Sequence, residues 1–136
     1  MPTMRIRQAA ELLGVSDDTV RRWIDNGALS AGQDAAGRKV IEGQVLAEFW
    51  RNNARPLPPD PLDTGSSARN RFVGLVTNVL SDKVMTQVEM QCGQHTVVSL
   101  MSTEAARELE LEPGSLAVAV VKATTVIVET PTAFGD

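Results

Sequence analysis

The sequence predicts two small domains: an α-rich winged helix-turn-helix, followed by a compact five-stranded β-barrel of OB-like type with one short helix. Three observations carry that reading. The apolar period is helical up to about residue 50 and alternates from Arg69 onward. Four prolines (Pro56, Pro58, Pro59 and Pro61) stand between the two patterns. The charge balance changes at the same place: residues 1–55 carry eight Arg/Lys against seven Asp/Glu (+1), residues 56–136 five against ten (−5), which makes the net −4. The expected boundaries are 1–55 for the first domain, 56–66 for the linker, 67–130 for the second domain and 131–136 for a tail.

In the first domain, Ile6, Ala9, Ala10 and Leu13 have the i, i+3, i+4, i+7 spacing of an amphipathic helix. Gly14 is its natural stop. Ser16 reads as the cap of a second helix, with Asp17 and Asp18 in its electropositive first turn. That helix runs to about Asn26 and sets Val20, Trp23 and Ile24 on one face. Two short helices joined at Gly14-Val15 form a helix-turn-helix pattern. Residues 29–41 then read as a hairpin or wing, with Arg38-Lys39 at its exit. A third helix is expected from about Glu42 to Asn53, burying Val45, Leu46, Phe49 and Trp50.

The linker is stiff and partly polyproline II. Beyond it, strands are expected at 72–80, 84–90, 96–101, 116–122 and 126–128. Ser81-Asp82-Lys83, Gln91-Cys92-Gly93-Gln94 and Pro113-Gly114 serve as turns, and a short helix runs from Thr103 to Leu111. Five short strands and one helix fit a compact OB-like barrel.

Composition narrows the function. Cys92 and His95 are the only cysteine and the only histidine. A disulfide framework and a Cys-rich metal centre are excluded, and the single thiol fits a reducing cytosol. No apolar run approaches the ~20 residues a bilayer requires. A soluble cytoplasmic protein without membrane contact is expected. Two domains of about 60 residues each bury a small core, so association into oligomers is expected from size.

The chemistry-bearing residues are donors. Ser67 and Arg69 are two apart, so an extended segment turns both to one face. About fifty residues later come Lys122 and Thr124, and Ser102 begins the short helix. No nucleophile–base pair, carboxylate pair, metal cluster or phosphate loop accompanies them, so the protein is not expected to be an enzyme. Hydroxyl, guanidinium and ammonium groups without reaction chemistry suit an oxyanion, which accepts hydrogen bonds and donates none. Ser102 fits two roles, as an anion donor and as a plain helix cap. In the first domain, Arg21, Arg22, Arg38 and Lys39 are either a nucleic-acid-binding face or solvated surface.

The run Ile6-Arg7-Gln8-Ala9-Ala10-Glu11-Leu12-Leu13-Gly14-Val15-Ser16, with Thr19-Val20-Arg21-Arg22-Trp23, Asn26-Gly27-Ala28-Leu29 and Gly37-Arg38-Lys39, resembles the winged helix-turn-helix of the MerR/excisionase class. The resemblance implies binding of double-stranded DNA, with the second helix in the major groove. The residues it points to are Ser16, Asp18, Thr19, Arg21, Arg22, Arg38 and Lys39. The long dimerising helix of MerR activators is replaced by the proline linker.

Ser67-Ala68-Arg69-Asn70, Gly74-x-Val76, Ser102-x-Glu104, Leu109-x-Leu111-x-Pro113-Gly114 and Ala119-Val120-Val121-Lys122-Ala123-Thr124-Thr125-Val126 look like a single Mop/TOBE molybdate-binding domain of the molbindin-like kind. The resemblance implies molybdate or tungstate as ligand, held by Ser67, Arg69, Ser102, Lys122 and Thr124, with the backbone of Ala123. It also implies sites between copies, so dimers or larger assemblies up to hexamers are expected through this domain. The sequence departs from the family at Glu110, commonly Gly, at Met101, commonly Ile or Val, and at Ser102, more often Thr. The two resemblances together imply a molybdate- or tungstate-responsive transcriptional regulator. The alternative is a cytoplasmic storage or homeostasis protein for the same oxyanions.

Overall fold

The computed structural model describes residues 2–56 and 58–131. They divide into two compact units between Arg55 and Pro56. The tail expected at 131–136 lies outside the described residues beyond Pro131.

In the first unit, β1 (Thr3–Arg5) leads directly into α1 (Ile6–Leu13). Gly14 ends α1 in the left-handed conformation, φ 71°, and its N–H returns to the last turn of the helix. A Cβ is disfavoured in that conformation, hence glycine. The Ser16 hydroxyl accepts from the Thr19 N–H at 3.1 Å and opens α2 (Asp17–Asp25), a cap worth about 1 kcal/mol. The wing is a hairpin of β2 (Gly32–Gln33) and β3 (Lys39–Glu42), and α3 (Gly43–Asn53) follows it.

The core of this unit is Ile6, Ala9, Ala10, Val20, Leu29, Ile41 and Leu46. Burying a side chain such as Ile41 or Leu46 contributes about 1.5–3 kcal/mol. Val45 and Phe49 pack against it partly buried, and Trp23 meets Phe49 with ring centroids 5.0 Å apart. Trp50, expected in the core, is 41% exposed.

The expected α-rich fold also carries a three-stranded sheet in the order β1-β3-β2. Met4 sits opposite Ile41, so the chain entering α1 is clamped to the wing.

The second unit is one antiparallel sheet in the order β6-β5-β4-β7. Its strands are β4 (Asn70–Ser81), β5 (Met85–Cys92), β6 (His95–Ser102) and β7 (Leu116–Val121). A short α4 (Thr103–Glu108) follows β6, and a 3₁₀ turn (Ala123–Thr125) follows β7. β4 pairs with β7 along its first half and with β5 along its second, and a bulge between Val76 and Asn78 bends it at the changeover. Val76, Val88, Met90 and Cys92 form the buried centre. Gly74 makes that packing possible: a Cβ there would collide with the Gln91 carbonyl oxygen and reach 2.7 Å from Cys92 Sγ.

Two expectations are corrected. The sheet has four strands, not five, because Val126–Val128 leaves the 3₁₀ turn without a ladder partner among the described residues. Ile127 and Val128 are accordingly 84% and 83% exposed. The short helix ends at Glu108 rather than Leu111, because Glu110 adopts φ 53° and turns the chain out of the helix.

Candidate functional site

The β4–β7 edge gathers most of the expected oxyanion residues. Asn70 and Val121 are opposite partners, and Asn70 Nδ2 donates to the Val121 carbonyl at 3.1 Å. Asn70 is thus a structural clamp joining the start of β4 to the end of β7. The same register continued one step sets Arg69 against Lys122. Both are exposed, and neither has an ion-pair partner among the described residues. Ser67 lies just before, on the other side of the buried Ala68, and is exposed.

The 3₁₀ turn supplies the rest of this group. Thr125 donates both its N–H (3.0 Å) and its hydroxyl (2.8 Å) to the Lys122 carbonyl. That fixes the turn and leaves Ala123 and Thr124 exposed at its outer corner. The Thr124 hydroxyl makes no hydrogen bond within the described residues, so it is available as a donor.

Ser102 is not part of this group within one chain. It pairs with Met85, at the end of the sheet where β4 finishes at Ser81 opposite Thr86. Arg69 precedes the first residue of β4, whereas Ser102 lies across β5 from the end where β4 finishes. The Ser102 hydroxyl caps α4 by accepting from the Ala105 N–H at 3.1 Å. Nearby runs a chain of hydroxyls, from the exposed Ser81 to the buried Thr86 and Thr103 at 2.8 and 2.9 Å, ending with Thr103 donating to the Asp82 carbonyl at 2.8 Å. These contacts hold the β6–α4 corner rigidly. The sequence reading missed them because Thr86 and Thr103 are seventeen residues apart and look like ordinary strand and cap residues.

In the first unit the expected DNA residues separate. Ser16 and Thr19 are engaged with each other, hydroxyl to hydroxyl at 2.9 Å, so both shape the start of α2. Arg22 and Asp18 lie on the exposed surface of α2, while Arg21 lines a cleft of about 640 Å³. Arg38 and Lys39 from the wing share that cleft, and so do Arg5, Arg7 and Asp17, which the sequence reading had not singled out for it. The available signal was the pair of arginines flanking the core residue Ile6.

Asp34 organises the wing tip. Its Oδ1 accepts from the Ala36 and Arg38 N–H groups, each at 2.9 Å, and its Oδ2 accepts from Arg38 Nε at 3.1 Å. Donation from the Arg38 backbone is the largest cause holding the Asp34 carboxyl below its ordinary range. The Arg38 guanidinium is therefore partly neutralised, whereas Lys39 has no ion pair among the described residues.

Among the described residues no group of His, Cys, Asp and Glu is placed to hold a metal ion. No described helix is long and apolar enough to cross a membrane.

Comparison with known proteins agrees with this division. Residues 3–54 match the family described as a helix-turn-helix domain, and residues 66–128 match the TOBE domain. A curated relative, the molybdenum transport protein ModE of Herbaspirillum seropedicae, is 38% identical over 96 residues, covering 68% of this chain and 36% of that protein. The chain thus spans about a third of that relative's length.

Among solved structures, the cytoplasmic molybdate-binding protein ModG, with molybdate bound, is 34% identical, with a TM-score of 0.50 over 56% of this chain and 55% of that one. A molybdate-binding protein from Sporomusa ovata is 27% identical, with a TM-score of 0.48 over 49% of this chain and 100% of that one. Residues 3–54 are therefore similar to a helix-turn-helix domain and residues 66–128 to a TOBE domain, the antiparallel sheet of the second unit resembles that of the molybdate-bound ModG, and the two matched families are binding and regulatory families rather than enzymes.

Proposed function

We propose that the protein is a cytoplasmic transcriptional regulator that binds double-stranded DNA through its first unit and responds to molybdate or tungstate through its second. The observation that carries the reading is the end of the β4–β7 ladder: Arg69 and Lys122 flank its last pair, Asn70 and Val121, both exposed and without an ion pair among the described residues, with the exposed Thr124 two residues on. A tetrahedral dianion with four acceptor oxygens suits that donor set.

The anion is held between TOBE domains of different copies. Supporting this, Ser102 stands at the other end of the sheet from Arg69 and Lys122, so one chain presents the expected donors as two separate groups. The exposed Val126-Ile127-Val128 segment and the outward Leu100 (66% exposed) and Leu116 (61% exposed) offer apolar surface that association would cover. Assembly through the second unit also pairs two DNA-binding units, as a two-fold operator requires. The anion then shifts DNA binding by favouring one arrangement of the assembly over another.

The experiment is a gel-shift and sedimentation series on the full chain with its own promoter DNA, with and without molybdate and with sulfate as control. The expected result is an assembly larger than a monomer whose affinity for that DNA changes on adding molybdate and not sulfate. Salt-insensitive absence of DNA binding, combined with tight molybdate binding, would instead favour the storage protein.

A further inference from the structure

One ion pair of the second unit joins residues eleven apart at its start. Arg71 Nε donates to Asp60 Oδ2 at 2.7 Å, and the two side chains are only 23% and 30% exposed. Arg71 is itself fixed, because it lies in β4 opposite Val120, one step from the Asn70–Val121 pair. Asp60 stiffens its own end by accepting from the Leu62 N–H at 2.8 Å. Between these ends the chain makes neither helix nor strand, and of residues 61–69 only Ala68 is buried. The pair therefore turns that stretch from a tail hanging off β4 into a closed loop.

Two of the expected anion donors, Ser67 and Arg69, lie inside this loop, near the end that β4 holds. Ordering a tail around an anion costs backbone entropy, whereas a loop closed at both ends has given up part of that freedom beforehand. An anion gripping Ser67 and Arg69 has the converse effect. It shortens the free chain between Leu62 and Arg71 and so raises the effective concentration of Asp60 at Arg71. Coupling of this kind is reciprocal. It extends to the linker as well. With the pair closed, the stretch left between Arg55 and Asp60 is residues 56–59, three of them proline and stiff by composition. With the pair open, the free stretch runs on through Thr64-Gly65-Ser66, whose composition is flexible.

Resting on the molybdate-responsive reading above, we infer that Asp60 and Arg71 form a clasp coupled to the oxyanion site: it positions Ser67 and Arg69 for the anion, and the bound anion in turn keeps the clasp closed and the tether to the first unit short. Asp60 and Arg71 are positioning residues that act through the loop and do not touch the anion. A purely electrostatic role for Asp60 has the opposite sign. Its carboxylate brings negative charge to Arg71, two residues from Arg69, so removing that charge alone would tighten anion binding, whereas removing a clasp weakens it.

The test is calorimetric titration of the full chain with molybdate, and with sulfate as control, in wild type, Asp60→Asn and Asp63→Asn, together with amide exchange at Leu62. Asp60→Asn is expected to weaken molybdate binding by up to about fivefold, the range of a partly exposed ion pair. Asp63→Asn removes an exposed carboxylate of the same loop that has no ion pair among the described residues, and it should bind molybdate no more weakly than wild type does. Saturating molybdate should slow exchange at Leu62 in wild type and not in Arg71→Gln. Asp60 lies outside the buried centre of the sheet, so its variant tests the clasp in a folded domain. Asp60→Asn binding molybdate as tightly as wild type, or more tightly, overturns the inference and leaves the molybdate reading standing. Exchange at Leu62 that molybdate leaves unchanged or speeds in wild type does the same. No molybdate binding by the wild type removes both.

Discussion

Arg71 Nε donates to Asp60 Oδ2 at 2.7 Å, and this pair ties the proline-rich segment to β4 two residues after Arg69. Asp60 Oδ1 also accepts from the Leu62 N–H at 2.8 Å. The segment expected only to separate the two domains is therefore fastened at one point to the domain that carries the candidate anion site. Hydrogen bonding from Arg71 is the first cause, and that from Leu62 the second, of an Asp60 carboxyl held below its ordinary range.

The pH behaviour of this fastening follows from the sign of that shift. A lowered carboxylate pKa in the folded chain adds stability above the ordinary value of about 3.9, lost as pH falls through the lowered value. The fastening is expected to be fully closed at neutral pH. Amide exchange at Leu62 should be faster in Arg71→Gln than in wild type at neutral pH, and the two should converge in acid. Equal exchange at neutral pH would show that the pair does not hold the segment.

Glu110 is expected to be a stability defect. It holds φ 53°, where a side chain with a Cβ costs about 1–2 kcal/mol relative to glycine. Part of the gain from glycine is offset by the greater freedom of the unfolded chain, about 0.4–1 kcal/mol. Glu110→Gly should therefore stabilise the second unit by about 0.5–1 kcal/mol, read as a higher midpoint in thermal or urea unfolding. A destabilised variant would mean that the side chain makes a compensating contact.

Gly74→Ala should do the opposite. The added methyl meets the Gln91 carbonyl and Cys92 Sγ at the centre of the sheet. Overpacking of this kind costs about 1–3 kcal/mol. The same variant should expose Cys92, which is 1% exposed and whose thiol burial pushes to a higher pKa. Thiol labelling is the measurement: slow in wild type under native conditions, faster in the variant.

Much of this architecture was legible in the residues. Gly14, Ser16 and the apolar face at Ile6, Ala9 and Ala10 specify the first two helices through local chemistry. The alternation over 84–90 specifies a strand with one buried face, and the strand runs on through Cys92, which was expected in the turn. What was not legible depended on partners distant in sequence. Thr3–Arg5 is too short to show a period and becomes a strand only because Ile41 and its neighbours lie alongside. Val126–Val128 has strand composition but no ladder partner among the described residues, so composition alone overcounted the sheet. Of the donor set, Arg69 and Lys122 lie next to the last paired residues of β4 and β7, Asn70 and Val121. The placement of Ser102 at the opposite strand end emerged only from the register of β4, β5 and β6.

The two roles of Ser102 can be separated by substitution. Asp preserves the cap on the Ala105 N–H, since carboxylates cap helices as well as serine does, but it replaces a donor with a negative charge. Ser102→Asp should leave the unfolding midpoint within about 0.5 kcal/mol of wild type and abolish molybdate binding. Retained binding would make Ser102 a cap alone.

The central claim is that Arg69, Lys122 and Thr124 form part of an oxyanion site. Calorimetric titration of the full chain with molybdate, tungstate and sulfate, for wild type and Arg69→Ala, tests it most directly. The account predicts that molybdate and tungstate bind wild type more tightly than sulfate does, and that Arg69→Ala loses this binding while remaining folded. Molybdate and tungstate binding no tighter than sulfate, or binding undiminished in Arg69→Ala, would contradict it.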